Sequence, residues 1–149
     1  MVIVLSGGFD PVHDGHINMI QAAVELGSVI ILLNSDDWLV RKKGKAFQEY
    51  PTRRKILSAI KGVTDVFYVN DSDGTVVEGL QYLRSKLPNE DLVFGNGGDR
   101  TENNTPEMEY CQNHNIRLMF GLGGEKVQSS SALLSNYTEG SKKLHLRQE

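Results

Sequence analysis

The chain has 149 residues, 39% of them hydrophobic and 23% charged, which fits one globular domain able to bury its own core. A net charge of -3 offers no Lys/Arg excess for non-specific nucleic-acid or membrane binding, and no apolar run approaches the roughly 18 residues of a transmembrane helix. A single cysteine, Cys111, excludes an internal disulfide, so a reducing cytoplasm is the expected compartment.

In chain order, VIVLS (Val2 to Ser6) is a short continuous apolar run, as for a strand covered on both faces. Its leading stretch MVIVLSGGF is too short and too soon broken by glycine for a signal peptide. HINMIQAAVEL (His16 to Leu26) carries Ile17, Ile20, Ala23 and Val24 at helical spacing, with Gly27 as a stop. SVIILLN (Ser28 to Asn34) predicts a second buried strand. YPTRRKILSAIKG (Tyr50 to Gly62) predicts a helix with Pro51 in its first turn and Gly62 past its end.

DVFYVN (Asp65 to Asn70) predicts a third strand, and GTVVEGLQYLRSKL (Gly74 to Leu87) a helix with a rough stripe of Val77, Leu80, Tyr82, Leu83 and Leu87. DLVFGN (Asp91 to Asn96) predicts a fourth strand. TPEMEYCQNHN (Thr105 to Asn115) predicts a helix capped by Thr105 and Pro106, with Cys111 an ordinary helix residue. IRLMFGL (Ile116 to Leu122) predicts a fifth strand, and SSSALLSNY (Ser129 to Tyr137) starts a last helix. Strands alternating with helices predict an α/β fold with a parallel sheet and right-handed crossovers; the pattern leaves strand order open. No internal repeat, low-complexity segment or linker interrupts the pattern, and a polar tail over 141–149 loses it.

The stretch GGFDPVHDGH, Gly7 to His16, follows the first strand and enters the first helix. Ligands of open parallel sheets bind beyond the carboxyl ends of the strands. Glycines there let backbone approach a phosphate, and a helix N-terminus offers free N–H groups and positive potential. The loop matches neither G-x-G-x-x-G nor G-x-x-x-x-G-K-[ST]. His13 and His16, at i and i+3, project from the first turn if the helix begins near Asp14, and each ring can donate to a phosphate oxygen. A protonated ring would add charge, and Gly15 would leave bare backbone for a base or ribose.

With those residues in place, G-x-F-D-P-x-H-x-G-H resembles the HxGH signature of the cytidylyltransferase-like nucleotidyltransferase superfamily. Its members include the cytidylyltransferases of glycerol 3-phosphate and the adenylyltransferase domain that makes ADP-heptose. The likeness extends over nearly the whole chain. NSDDWLVRKKGK (Asn34 to Lys45) is similar to the family's N-S-D stretch and following K/R-x-K-G, which implies Lys43 at the nucleotide phosphates. PTRRKILSAI resembles the helix in which an arginine follows Pro, here Arg54, an acceptor candidate. FGNGGDR resembles the G-G-D loop, close to the ADP-heptose type, with Asp99 toward the ribose or acceptor; VQSSSALL resembles the I-S-S-T motif, with Ser129, Ser130 and Ser131 at the phosphates. Where the glycerol-phosphate type carries R-T-x-G, this chain has GGEKVQ, with Lys126 in place of the arginine's neighbourhood, which leaves the base open.

The resemblance implies a Rossmann-like three-layer α/β/α domain over 1–140 with a five-stranded parallel sheet. It also implies transfer of a nucleotidyl group, CMP favoured, from an NTP to a phosphorylated alcohol or sugar, with release of pyrophosphate. His13, His16 and Lys43 would be catalytic. Gly7, Gly8, Phe9, Asp10, Gly15, Asp99 and Ser129 to Ser131 would bind nucleotide; Asp10 and Arg54 would face the acceptor. Mg²⁺ would be held mainly by substrate phosphates, and homodimers are expected. Adenylyl transfer to a sugar phosphate, and a nucleotide-binding module without turnover, are the alternatives.

Overall fold

The computed structural model describes residues 1–97 and 105–124. The expected last helix and the polar tail lie outside them. Within them the chain runs β1 (Val2–Gly7), α1 (Asp14–Leu26), β2 (Ser28–Leu33), α2 (Asp36–Lys43), α3 (Tyr50–Ser58), β3 (Val63–Tyr68), α4 (Val77–Lys86), β4 (Leu92–Gly97), α5 (Pro106–Asn113) and β5 (Arg117–Leu122). All five strands are parallel, in the order β3-β2-β1-β4-β5. The fold is Rossmann-like α/β.

Alternation along the strands builds two cores. Ile3 and Leu5 of β1, with Val29, Ile31 and Leu33 of β2, pack on Ile20 and Ala23 of α1 and Leu57 of α3. Val2 and Val4, with Ile30 and Leu32, pack on the opposite face against Leu80 and Leu83 of α4 and Cys111 of α5. Both faces are covered, so the strands read as continuous apolar runs. The chain steps from β1 to β2 to β3 with helices on one face, then crosses to β4 with helices on the other. Reversing direction while keeping right-handed crossovers requires that change of face. It places the switch point between β1 and β4, where the sheet opens a crevice at its carboxyl edge.

Most predicted boundaries shift by one to three residues. The larger departure is α2, which lies in the stretch similar to the family's N-S-D and K/R-x-K-G and for which the sequence predicts no helix. Ser35 caps it, its Oγ accepting from the Trp38 N–H at 3.1 Å; Asp36 and Asp37 fill the first turn, Arg41 to Lys43 the last, and Gly44 ends it at φ 91°. Every one of these is a helix signal. Eight residues with a single buried apolar side chain, Leu39, carry too little periodicity to stand out.

Candidate active site

The loop after β1 is fixed from three sides. Its first anchor is α1 itself. His13 is the N-cap, and its Nδ1 accepts from the Gly15 N–H at 3.1 Å; His16 Nδ1 accepts from the His13 N–H at 3.1 Å. Two imidazoles thus form a reciprocal cap where Ser and Glu commonly stand. The rings stack with centroids 3.8 Å apart and an interplanar angle of 24°, and Phe9 lies 4.8 Å from His16. Each Nδ1 supplies a lone pair to a backbone N–H, so each neutral ring carries its proton on Nε2. A proton on Nδ1 would displace the cap. Gly15 serves the cap through its N–H, as the second residue of the helix.

The second anchor is Asp10, whose side chain is fully buried. Its Oδ2 accepts from the Phe47 N–H and its Oδ1 from the Gln48 N–H, at 2.6 and 2.7 Å. Both carboxylate oxygens are engaged by the α2–α3 connection, so Asp10 ties two loops together. Lys43 reaches the same residue: its Nζ donates to the Asp10 carbonyl at 2.9 Å and lies 3.9 Å from Oδ2. Phe9, between Gly8 and Asp10, holds φ 49°, a left-handed conformation that non-glycine residues rarely adopt. Its ring is buried, which holds the backbone in that state.

The third anchor is Arg53, fully buried. Its guanidinium donates to the carbonyls of Gln48 (2.9 Å), Gly8 (2.9 Å) and Asn34 (2.8 Å), and to Asp36 Oδ1 (2.6 Å). One planar donor fork links the ends of β1 and β2 to the starts of α2 and α3. Arg54, the arginine singled out from the sequence, is exposed and donates its Nε to the Val66 carbonyl on β3, at the far edge of the sheet. Adjacent helical positions are about 100° apart, so only one of the two can face the loop. Asp71, also missed, is buried beyond β3; it accepts from Asn34 Nδ2, the Ser35 N–H and Ser35 Oγ at 2.7–2.9 Å, while Arg41 donates to its carbonyl. No local pattern marks it, because its partners are 36 and 37 residues away.

Gly7 ends β1 and its carbonyl accepts from the Asn34 N–H at 3.0 Å; Gly8 follows under α2. Thus Gly7, Gly8, Phe9, Asp10, His13, Gly15, His16 and Lys43 come together at the end of β1, and Arg54 does not join them. Asp99, Lys126 and Ser129 to Ser131 lie outside the described residues.

The profile of the cytidylyltransferase-like family matches residues 4–139. The chain belongs to that family. Over 111 residues it is 29% identical to the bifunctional protein HldE of Gluconobacter oxydans, covering 65% of this chain and 23% of that protein. Over 65 residues it is 32% identical to the glycerol-3-phosphate cytidylyltransferase of Bacillus subtilis, covering 43% of this chain and 50% of that enzyme. The chain therefore spans half or less of these curated relatives. The fold is similar to the crystal structure of a lipopolysaccharide core biosynthesis protein from Thermoplasma volcanium, with TM-score 0.60 at 19% identity over 80% of this chain and 94% of the other. Among the described residues, no helix is long and apolar enough to cross a membrane, and no three His, Cys, Asp or Glu side chains converge as a metal cage.

Proposed function

We propose that this chain transfers a nucleotidyl group, CMP in the first instance, from an NTP to a phosphorylated small alcohol or sugar, releasing pyrophosphate. The observation that carries the proposal is the two-histidine cap. It sets both Nε2–H donors at the N-terminus of α1, on the carboxyl edge of the sheet beside the switch point. Two oriented donors and a helix N-terminus match a phosphorus centre that gains charge on its equatorial oxygens. The acceptor phosphate is already anionic, so no general base is needed. An ammonium has three donors, so Lys43 can hold the Asp10 carbonyl and still reach a phosphate. Ser129 to Ser131 complete the proposal as ligands of the leaving pyrophosphate.

Both Asp10 oxygens already accept backbone N–H groups, so Mg²⁺ would be held mainly by the nucleotide's own phosphates, where it would supply charge that offsets the leaving group. A cytoplasmic setting and pairing into homodimers belong to the same proposal. A second reading, adenylyl transfer to a sugar phosphate, is favoured by the FGNGGDR loop and its resemblance to the ADP-heptose type.

The test is pyrophosphate release by the full chain with Mg²⁺, using CTP or ATP against glycerol 3-phosphate and a panel of sugar phosphates. One nucleotide–acceptor pair should turn over far above the His16→Ala background. Release at that background for every pair would overturn the proposal.

A further inference from the structure

The short helix α2 needs support from outside itself. Eight residues are too few for a helix to persist alone in water, and Leu39 is its single buried apolar side chain. Its polar ties therefore decide where it sits. Asp71, buried past the end of β3, reaches it at both ends. At the start of α2, Asp71 Oδ2 accepts from the Ser35 N–H at 2.8 Å and from Asn34 Nδ2 at 2.9 Å, and Oδ1 accepts from Ser35 Oγ at 2.7 Å. The Ser35 hydroxyl gives its proton to Asp71, which leaves a lone pair for the Trp38 N–H at 3.1 Å, so Asp71 orients the N-cap itself. At the far end, the Asp71 carbonyl accepts from Arg41 Nη2 at 2.8 Å while closing a turn with the Gly74 N–H, also at 2.8 Å. Lys43 ends the same helix, two residues beyond Arg41, and its Nζ stands 2.9 Å from the Asp10 carbonyl.

We propose that Asp71 is a positioning residue for Lys43: it clasps α2 at the cap and in the last turn, and so fixes where the ammonium stands against the nucleotide phosphates. This rests on the transfer function proposed above, in which Lys43 meets those phosphates. A lysine ammonium is a point charge on a flexible stem, so its location depends on the backbone that carries it. At about 1.5 Å per residue the eight residues of α2 span about 12 Å, and a tilt at the cap is carried to Lys43 at the other end. A misplacement of about 1 Å in a charged site can cost about 10²-fold in rate. Ser35 alone would suffice to cap a helix. Holding that serine with a buried carboxylate from a distant loop, and bonding the same residue's carbonyl to Arg41, specifies one orientation of α2 on the sheet.

The test is a double-substitution cycle on the full chain, well below every variant's melting temperature, with inorganic pyrophosphate and Mg²⁺ as the probe and titration calorimetry as the readout. Lys43→Ala should weaken pyrophosphate binding roughly ten-fold, and Asp71→Ala about as much. Combined, they should stay within about two-fold of either alone, because Asp71 acts through an ammonium that is already gone. Asp71→Asn is the rescue. Its Oδ1 can accept from the Ser35 N–H and Asn34 Nδ2 while its Nδ2 donates to Ser35 Oγ, so binding should return to within about two-fold of wild type. Arg41→Met, at an exposed position, removes the second clasp and leaves the Asp71 carbonyl its Gly74 bond; it should weaken binding about three-fold, and only while Lys43 is present. Where Asp71→Ala does not fold, Arg41→Met completes the cycle in its place. Losses that add, an asparagine variant as weak as the alanine one, unaltered binding in Asp71→Ala or Arg41→Met, or no pyrophosphate binding by the wild-type chain would each overturn the proposal. The same coupling without pyrophosphate release from any nucleotide–acceptor pair would instead sink the transfer function and leave the positioning of Lys43 standing.

Discussion

Replacing Arg53 by methionine tests how the site is held. Methionine fills much of the same space and removes every donor, leaving the carbonyls of Gly8, Asn34 and Gln48 and one oxygen of Asp36 without their partner. The Asp36 side chain is 40% exposed, so water replaces the guanidinium there and the ion pair contributes about 1 kcal/mol at most. The Asn34 carbonyl is bonded in fully buried surroundings and the other two in partly buried ones. A buried acceptor left unmade costs about 1–3 kcal/mol, and partial access to water brings the three together to about 3 kcal/mol. At roughly 2–4 °C per kcal/mol for a domain of this size, the melting temperature should fall by about 6–12 °C. Arg53→Lys keeps a charge but not the fork, and should lose about half as much. Arg54→Ala is the control: an exposed side chain whose bond to the Val66 carbonyl is a long 3.3 Å, expected within about 1 °C of wild type. Differential scanning calorimetry reads all three. If Arg53→Met melts within about 2 °C of wild type, the guanidinium is not what joins the four segments.

The histidine cap separates stability from chemistry. His13→Asn keeps a strong N-cap but has no Nε2–H, so the melting temperature should hold while pyrophosphate release falls about 10²-fold or more; His13→Ala should lose both, the cap being worth about 1 kcal/mol. Retained turnover in the asparagine variant would refute the donor role. Burial pushes the Cys111 thiol up to about 12, with the Glu107 carboxylate acting in the same direction, and burial also raises Tyr50 and Tyr110. All three groups are neutral when protonated and hold their protons more tightly in the folded state. Their contribution is thus complete below the unfolded values, 9.0 for Cys and 10.0 for Tyr; it is lost as pH rises toward about 12 for Cys111, and as pH rises through their raised values for the two tyrosines. Melting temperature should fall steadily above about pH 9, less so in Cys111→Ala, and iodoacetamide should leave Cys111 unmodified in the native chain at about pH 8; a flat alkaline profile would contradict this. Gly123→Ala meets the Met19 backbone at 2.7 Å from a φ of +80°, so urea unfolding should show a loss of about 1–3 kcal/mol.

Sequence periodicity made the fold class legible because both faces of the sheet are covered, leaving runs such as VIVLS and SVIILL unbroken. Strand order was not legible: every crossover is long enough to reach either side of β1, and only the helix positions on the two faces decide it. The histidine loop was legible because its residues are consecutive. The residues that hold it were not, because each acts across a large sequence distance: Arg53 on Gly8 at a separation of 45, Asp10 on Gln48 at 38, Asp71 on Ser35 at 36. The choice between Arg53 and Arg54 turned on helix phase. The buried Leu57 lies four residues after Arg53, on the same face, and that spacing was the available signal.

Placing a polar side chain in a protein interior is unfavourable unless its hydrogen bonds are made there, so the location of such side chains carries information. Among the described residues the buried polar side chains are Asp10, Asn34, Ser35, Arg53, Asp71 and Asn96. Asp10 follows β1, Asn34 and Ser35 follow β2, Asp71 follows β3 and Asn96 is near the end of β4; Arg53 comes from α3 to bond the ends of β1 and β2. None lies at the amino edge of the sheet. A domain needing these groups for stability alone could use apolar side chains of similar volume, which often stabilise as well or better. The concentration of buried hydrogen bonding on one edge is instead what a preorganised charged site requires: donors fixed before the substrate arrives, so that little reorganisation is left for the reaction. The same distribution predicts that substitutions at these six positions reduce turnover more than their effect on melting temperature would imply. Apolar substitutions in the core of α4 and β4, such as Leu83→Ala, should lower stability with turnover unchanged in the folded fraction.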